Sequence, residues 1–555
     1  MNTLNIGITI GPITDTLLNM QRTRMVWAAS YFFSYLAEEI CKELPPALRA
    51  NLIVPSEDFV RESVRGKYGE GRFTDRIYLK ANSAHDLDII RSTIDSVLEK
   101  TATSIQEHIV DTKFGYDDFK GGFPTKLKVL DALKRKFYIY IVEAEANGLN
   151  FPIEEINKVA GSTEYRVVYD PDSDYDPIAH FLYRVNKRKK GKLSFLMQHS
   201  QSIIENARFK SLIEIAATGL SIVNKAEFNK IVQEKIITPE SSEEDTGSED
   251  DYESIIGKFK DSFKEFRNYH KYIAVVMADG DGMNTKVKDS FDDSTVLEKL
   301  TTDLSEFCTE GVEKGVNYGA EPVFAGGDDL FFFAPVAALQ TGTPPKLKSV
   351  FDMILDIEKE FKTKLHDSTL SWGIAIGYYK HPLKDFVKIA DDNLNNKAKA
   401  AKKNKIAVSF QKHSGQRIDF IIDKNNGNWE KILQTIHELI NIPDNEHGKN
   451  EQLMSGIIHE LNDPTFAHLL DRSTSFSEGV GSELESAQKN CLVFLENMFN
   501  EPIHKTCEGK KFLKLISDLS VQCKDKDSSG NSSKFSQLYG LLRIVHFILS
   551  KDERN

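Results

Sequence analysis

Residues 3–11 alternate apolar and polar side chains and stop at Pro12, the period-two signature of a half-buried strand. An amphipathic helix follows, with Leu17, Met20, Met25, Trp27, Phe32, Phe33, Tyr35 and Leu36 among its apolar positions. Residues 86–166 read as mainly helical, with Leu87, Ile90, Ile94, Val97 and Leu98 at helical spacing and a second helix near 127–146. Residues 272–278 are a near-continuous apolar run, as expected of a strand buried on both faces. A helix over 294–314, a hairpin over 319–336, an amphipathic helix over 349–365, a helix over 390–405 and a strand over 406–415 follow. Beyond 420 the pattern is helical throughout, over 429–440, 454–461, 484–499, 512–519 and 535–549.

The period therefore switches between strand and helix along one chain, which predicts an α+β multidomain protein. A length of 555 residues suits about three or four domains. We place them at 1–165, 166–260, 261–420 and 421–555. An acidic, Ser-rich loop at 238–252 reads as flexible and unable to form a core. With 40% hydrophobic and 28% charged residues the balance is globular. No apolar run is long enough to cross a membrane, and the start of the chain lacks the pattern of a signal peptide. Cys41, Cys308, Cys491, Cys507 and Cys523 form no C-x-x-C pair, so zinc and a disulfide framework are not expected. A reduced, cytoplasmic protein is the simplest expectation. The net charge of −12 argues against nucleic-acid binding over the whole surface, while leaving room for local basic channels.

Candidate chemistry sits in the hairpin. Two apolar runs flank Gly326-Gly327-Asp328-Asp329, a composition that an ordinary tight turn would also satisfy. The apolar strand upstream adds a second signal, because it ends in Asp279-Gly280-Asp281-Gly282. If the two strands are antiparallel neighbours, Asp279 and Asp328 could share divalent cations, with Asp329 beside them. Glycines next to carboxylates let a phosphate chain approach the backbone. Two hard cations held by carboxylate and phosphate oxygens suit in-line attack on a nucleoside triphosphate, so the pair of motifs reads as a nucleotidyl-transfer site.

A strand ending in Asp, a helix and then a Gly-Gly-Asp-Asp hairpin resembles the palm shared by GGDEF nucleotide cyclases and the polymerase subunit of type III CRISPR effector complexes. The GGDD form points to the CRISPR subunit, of a type III-B-like kind. Residues 10–13 (Ile-Gly-Pro-Ile), Arg22-Thr-Arg24, residues 27–31 and Ser34-Tyr35 resemble the opening of that subunit's first palm, and residues 51–55 and 73–79 its further strands. Residues 207–216 resemble a segment of its inter-palm helical domain, and residues 369–383 its next strand and turn. The resemblance implies two ferredoxin-like, nucleotide-cyclase-like palms, the first without GGDD, joined to helical domains. It implies catalytic, metal-binding roles for Asp279, Asp328 and Asp329. Gly326, Gly327, Gly280, Asp281, Ser371, Lys397 and Lys399 are the implied nucleotide-binding residues. Lys397 and Lys399 compete for the triphosphate, Lys402 and Lys403 are weaker candidates, and Ser371 lines the base pocket.

Two Mg2+ or Mn2+ ions and ATP are then implied, together with guide RNA, target RNA and other effector subunits as partners and no membrane. The product is a nucleotide second messenger, either cyclic oligoadenylate or, in members lacking the nuclease domain, an adduct of AMP with S-adenosylmethionine. His85-Asp86 and His366-Asp367 read as surface dipeptides, and no His-Asp nuclease domain is expected. The basic stretch 183–192 is either an RNA contact or a solvated turn. A free-standing dinucleotide cyclase and a non-catalytic scaffold are the remaining alternatives.

Overall fold

The computed structural model describes residues 4–61, 66–112, 122–144, 151–163, 176–183, 185, 194–198, 209–236, 249–290, 294–342, 345–442, 449–474, 481–523 and 534–551. Most of the basic stretch 183–192 and residues 238–248 of the acidic loop lie outside these.

The chain is α+β and multidomain, as its periodicity predicts. Strands β1 (Leu4–Gly11), β2 (Leu52–Val54), β3 (Arg76–Ala81) and β4 (Tyr138–Ala144) form one antiparallel sheet in the order β2-β3-β1-β4. The 21-residue helix Thr23–Glu43 is buried along most of its length against this sheet and the helix Ala84–Thr112. The helix expected near 127–146 is not continuous. It ends at Lys136, and residues 138–144 are the fourth strand of the sheet. Tyr138-Ile-Tyr-Ile-Val is aromatic and β-branched, which favours a pleated surface.

A second sheet contains β5 (Tyr272–Asp281), β6 (Glu321–Gly326), β7 (Asp329–Pro335), β10 (Thr369–Tyr378), β11 (Lys405–Gln411) and β12 (Arg417–Asp423). Its order is β12-β11-β10-β5-β7-β6, with only β10 and β11 parallel. Read from its β6 edge, the run β6-β7-β5-β10 repeats the order β2-β3-β1-β4 of the first sheet, so both halves carry the same ferredoxin-like topology. A small separate hairpin, β8 (Ala337–Gln340) with β9 (Lys346–Ser349), interrupts the expected element order. Strand β12 was not expected beyond 415. It pairs with β11 through Ile418, Phe420 and Ile422, and the helix Lys534–Leu549 packs on it. The helix expected over 390–405 is shorter. It runs Leu383–Asp392, loosens into a π-turn at Asn393–Ala398, and the chain is already a strand at Lys405.

Burial explains how the halves are joined. One face of β5 carries Ala274, Val276 and Ala278 into a core with the helices Ser294–Tyr318 and Val350–Lys364 and the C-terminal helices. The other face carries Ile273 and Val275 into the core of the first sheet and its long helix. The second sheet is thus covered on both sides, as its continuous apolar strands require. Among its described residues the C-terminal region contains the expected helices, with a further α-helix at Pro464–Thr474 and a short 3-10 turn at Pro502–Lys505. Residues 249–252, assigned to the acidic loop, open the helix Glu249–Ser262.

Candidate active site

Strand β5 pairs antiparallel with β7, placing Ala278 opposite Leu330. Asp279 therefore emerges beside the β6–β7 turn that holds Asp328 and Asp329. Gly327 takes φ +66, a conformation that glycine reaches without strain. The Cys308 thiol, on the helix Ser294–Tyr318, donates to the Gly327 carbonyl at 3.2 Å and fixes the turn from behind. Burial pushes that thiol up to about 12, so it stays a neutral donor. A Cβ on Gly280 would lie 2.6 Å from Asp328 Oδ2, so the backbone after Asp279 lies directly against the turn carboxylate.

The electrostatics are those of crowded acids. Desolvation and then the Asp279 charge push the Asp328 carboxyl up to about 7, and Asp279 and Asp328 share a hydrogen bond. Asp329 is raised well above the usual carboxylate range by desolvation, then by Asp279 and Asp328, with Asp75 adding to the effect. The Asp329 side chain opens onto solvent in the cavity, which weakens desolvation, but the neighbouring negative charges act in the same direction. Lys399 forms an ion pair with Asp279 and opposes both shifts. That ammonium occupies the side of Asp279 where a cation would be expected.

These groups line a cavity of about 510 Å3 between the two sheets. The second half contributes Asp279, Gly280, Gly326, Gly327, Asp328, Asp329, Lys399 and Lys403 to its wall. The first half contributes Thr74, Asp75, Arg76, Tyr78 and Asn157. Asn157 Oδ1 accepts from Arg76 at 3.0 Å and from the Tyr78 hydroxyl at 2.5 Å, which fixes the amide at the wall. Among the described residues no three His, Cys, Asp or Glu side chains converge as a closed metal cage would. Open carboxylates with raised proton affinity instead fit hard cations that complete their shells with phosphate and water oxygens.

Four sequence-predicted residues do not reach this wall, Lys402 among them. Ser371 is fully buried, and its hydroxyl donates to Asp281 at 2.8 Å, so it does not line a base pocket. Asp281 faces Ser371, Thr369 and the amide of Asn404. Lys397 points away and lies 3.4 Å from Asp419. The sequence reading left Lys397 and Lys399 as alternatives, and only Lys399 borders the cavity. His85, His366 and Asp367 are exposed.

Residues 272–407 match the family model described as Cas10/Cmr2, second palm domain. A Cmr2 subunit of the CRISPR Cmr system from Pyrococcus furiosus is 26% identical over 30% of this chain and 22% of its own length. The matched part thus spans about a fifth of that relative. The type III-B Cmr-beta structure in its apo state superposes with a TM-score of 0.54 at 11% identity, covering 92% of this chain and 79% of that one. Cmr-beta bound to cognate target RNA gives 0.53 at 11% identity, covering 88% and 78%. The second palm is similar to that of Cas10/Cmr2 proteins. At 11% identity the structural likeness is one of fold, and it extends over the first palm and the helical regions as well as the GGDD palm.

Several wall residues were not singled out by the sequence. Asp75 comes immediately before β3, as Asp328 comes immediately before β7, and the matched strand order is the signal that could have found it. Asn157 lies on the helix Ile153–Thr163 and carries no local motif. Arg72 is buried and donates to the Ser305 carbonyl at 2.9 Å and the Thr309 hydroxyl at 2.9 Å, tying the first palm to the helix behind the turn. Among the described residues no helix is long and apolar enough to cross a membrane.

Proposed function

We propose that the chain is an RNA-activated nucleotidyltransferase of a type III CRISPR complex, converting ATP into a nucleotide second messenger. The observation that carries this reading is the placement of Asp279 against Asp328 and Asp329 at the mouth of the inter-palm cavity. Asp279 and Asp328 would hold two Mg2+ or Mn2+ ions, with Asp329 supporting the second. When bound, such ions lower the pKa of an attacking hydroxyl and offset the charge building on departing pyrophosphate.

The protein groups divide the remaining work. Gly280 and Gly327 let a triphosphate lie against the backbone, because neither carries a side chain to obstruct it. Lys399 leaves Asp279 for the phosphate oxygens, and Lys403 adds a second positive charge on the same side. Tyr78, Arg76 and Asn157 form the opposite wall, where an acceptor would be oriented for in-line attack. The reading places the chain with other effector subunits, guide RNA and target RNA, in line with the Cmr assemblies its fold matches.

Cyclic oligoadenylate is the product we favour, with the AMP adduct of S-adenosylmethionine as the second reading. The test is product identification by mass spectrometry after incubating the target-RNA-activated complex with Mg2+ or Mn2+ and ATP, with and without S-adenosylmethionine. Oligoadenylates from ATP alone support the first reading. A product that requires both compounds moves the acceptor to S-adenosylmethionine. No product in either mixture overturns the enzymatic assignment.

A further inference from the structure

The loop carrying the cavity lysines is held in a costly conformation. Ala401, Lys403 and Asn404 adopt φ of 55°, 52° and 55°, a region that side-chain-bearing residues visit rarely. Backbone strain of this kind persists only where surrounding bonds over-determine it. Here they do. Asp281 Oδ2 accepts from the Asn404 amide at 2.9 Å and from the Thr369 hydroxyl at 2.7 Å. The Ser371 hydroxyl donates to Asp281 and accepts from the same Asn404 amide at 3.0 Å. On the far side, the Asn425 side-chain Nδ2 donates to the Lys403 carbonyl at 3.1 Å, and the Lys424 backbone amide donates to the Asn404 carbonyl at 3.1 Å. Lys405 is fully buried, and its ammonium donates to the Ala400 carbonyl at 3.1 Å.

We infer that Asp281 is a positioning residue for the triphosphate, setting the strained 399–404 loop so that Lys399 and Lys403 face the cavity. It sits two residues beyond Asp279 on the same strand, so one edge of β5 both presents a carboxylate and anchors the opposing cations. The side chain reaches the phosphates only through the loop. Releasing the Asn404 amide would let the three left-handed residues relax, withdrawing both lysines. This inference rests on the proposed triphosphate site and adds the element that keeps its cations in place.

The test is equilibrium binding of inorganic tripolyphosphate, with Mg2+ present, to the assembled complex, which requires no turnover. Lys399→Ala should weaken binding about tenfold. Asp281→Ala should do the same by about tenfold, the cost of losing hydrogen bonds to a charged acceptor. The double variant should bind no more weakly than Asp281→Ala alone, because Asp281 acts through Lys399 as well as Lys403. Asp281→Asn keeps one oxygen acceptor and should recover most of the affinity. If Lys399→Ala binds as tightly as the parent, the phosphate reading itself fails and the inference with it. If Lys399→Ala weakens binding while Asp281→Ala changes only the melting temperature, Asp281 is structural and the inference alone is overturned. Fully additive losses in the double variant would also overturn it.

Discussion

The two palms share a strand order and differ in what they place at the corner facing the cavity. In the second palm, β5 ends in Asp279-Gly280-Asp281, and a two-residue turn delivers Asp328 and Asp329 beside it. In the first palm, β1 ends at Gly11-Pro12, and β2 and β3 are joined by the long segment 55–75. A Cβ on Gly11 would sit 2.2 Å from the Tyr138 hydroxyl, so a tyrosine fills the place against the end of β1. The same topology therefore gives crowded carboxylates in one half and a wall of Asp75, Arg76, Tyr78 and Asn157 in the other. The fold supplies the corner, and a few residues set its charge.

Breaking the second corner should have the largest effect. Replacing Asp328 and Asp329 together by Ala should lower product formation by at least about a thousandfold in the RNA-activated complex, since transition-state charge loses its stabilisation. Gly280→Ala should cost roughly ten- to a hundredfold in kcat, because the new methyl group displaces the Asp328 carboxylate that it meets at 2.6 Å. The corresponding carboxylate of the first palm should matter less. Asp75→Asn should reduce kcat/KM by about tenfold. It should also move the acidic limb of the pH profile downward, because Asp75 contributes to the raised proton affinity of Asp329.

The raised carboxyls carry a sign that can be tested without activity. Asp328 holds its proton more tightly folded than unfolded, with a folded value of about 7 against an unfolded one near 4. Its contribution therefore favours the folded, metal-free chain in acid and is lost as pH rises through about 7. Thermal melts without divalent cations should fall over that window, and added Mn2+ should restore stability while releasing protons. The smallest effect belongs to Cys308→Ala, which removes one buried hydrogen bond to Gly327 and should cost about 1 kcal/mol with a few-fold loss of activity.

Much of this was legible in the chain itself. The apolar run before Asp279 and the Gly-Gly-Asp-Asp turn carry both local pattern and chemistry, and the structure brings them side by side. Strand β4 was hidden because the lysine-rich helix Lys126–Lys136 runs almost directly into it, leaving Phe137 as the only break. The lysines after Ala398 fall within the helix expected over 390–405, yet one of them, Lys405, is fully buried at the start of a strand. A charge pattern cannot distinguish those cases, because the distinction lies in the π-turn and three left-handed residues that precede it. Asp281 and Ser371 looked like ligand contacts for the same reason, since sequence spacing does not say which side of a strand edge meets a loop. The first-palm wall depends on residues from β3 and a distant helix, a contact only the fold creates.

The most direct measurement is pyrophosphate release from ATP by the target-RNA-activated complex, comparing the parent with Asp279→Asn. We predict steady release from the parent, dependent on Mg2+ or Mn2+, and loss to background in the variant. Equal release from both would contradict the assignment of the second-palm corner as the reacting centre.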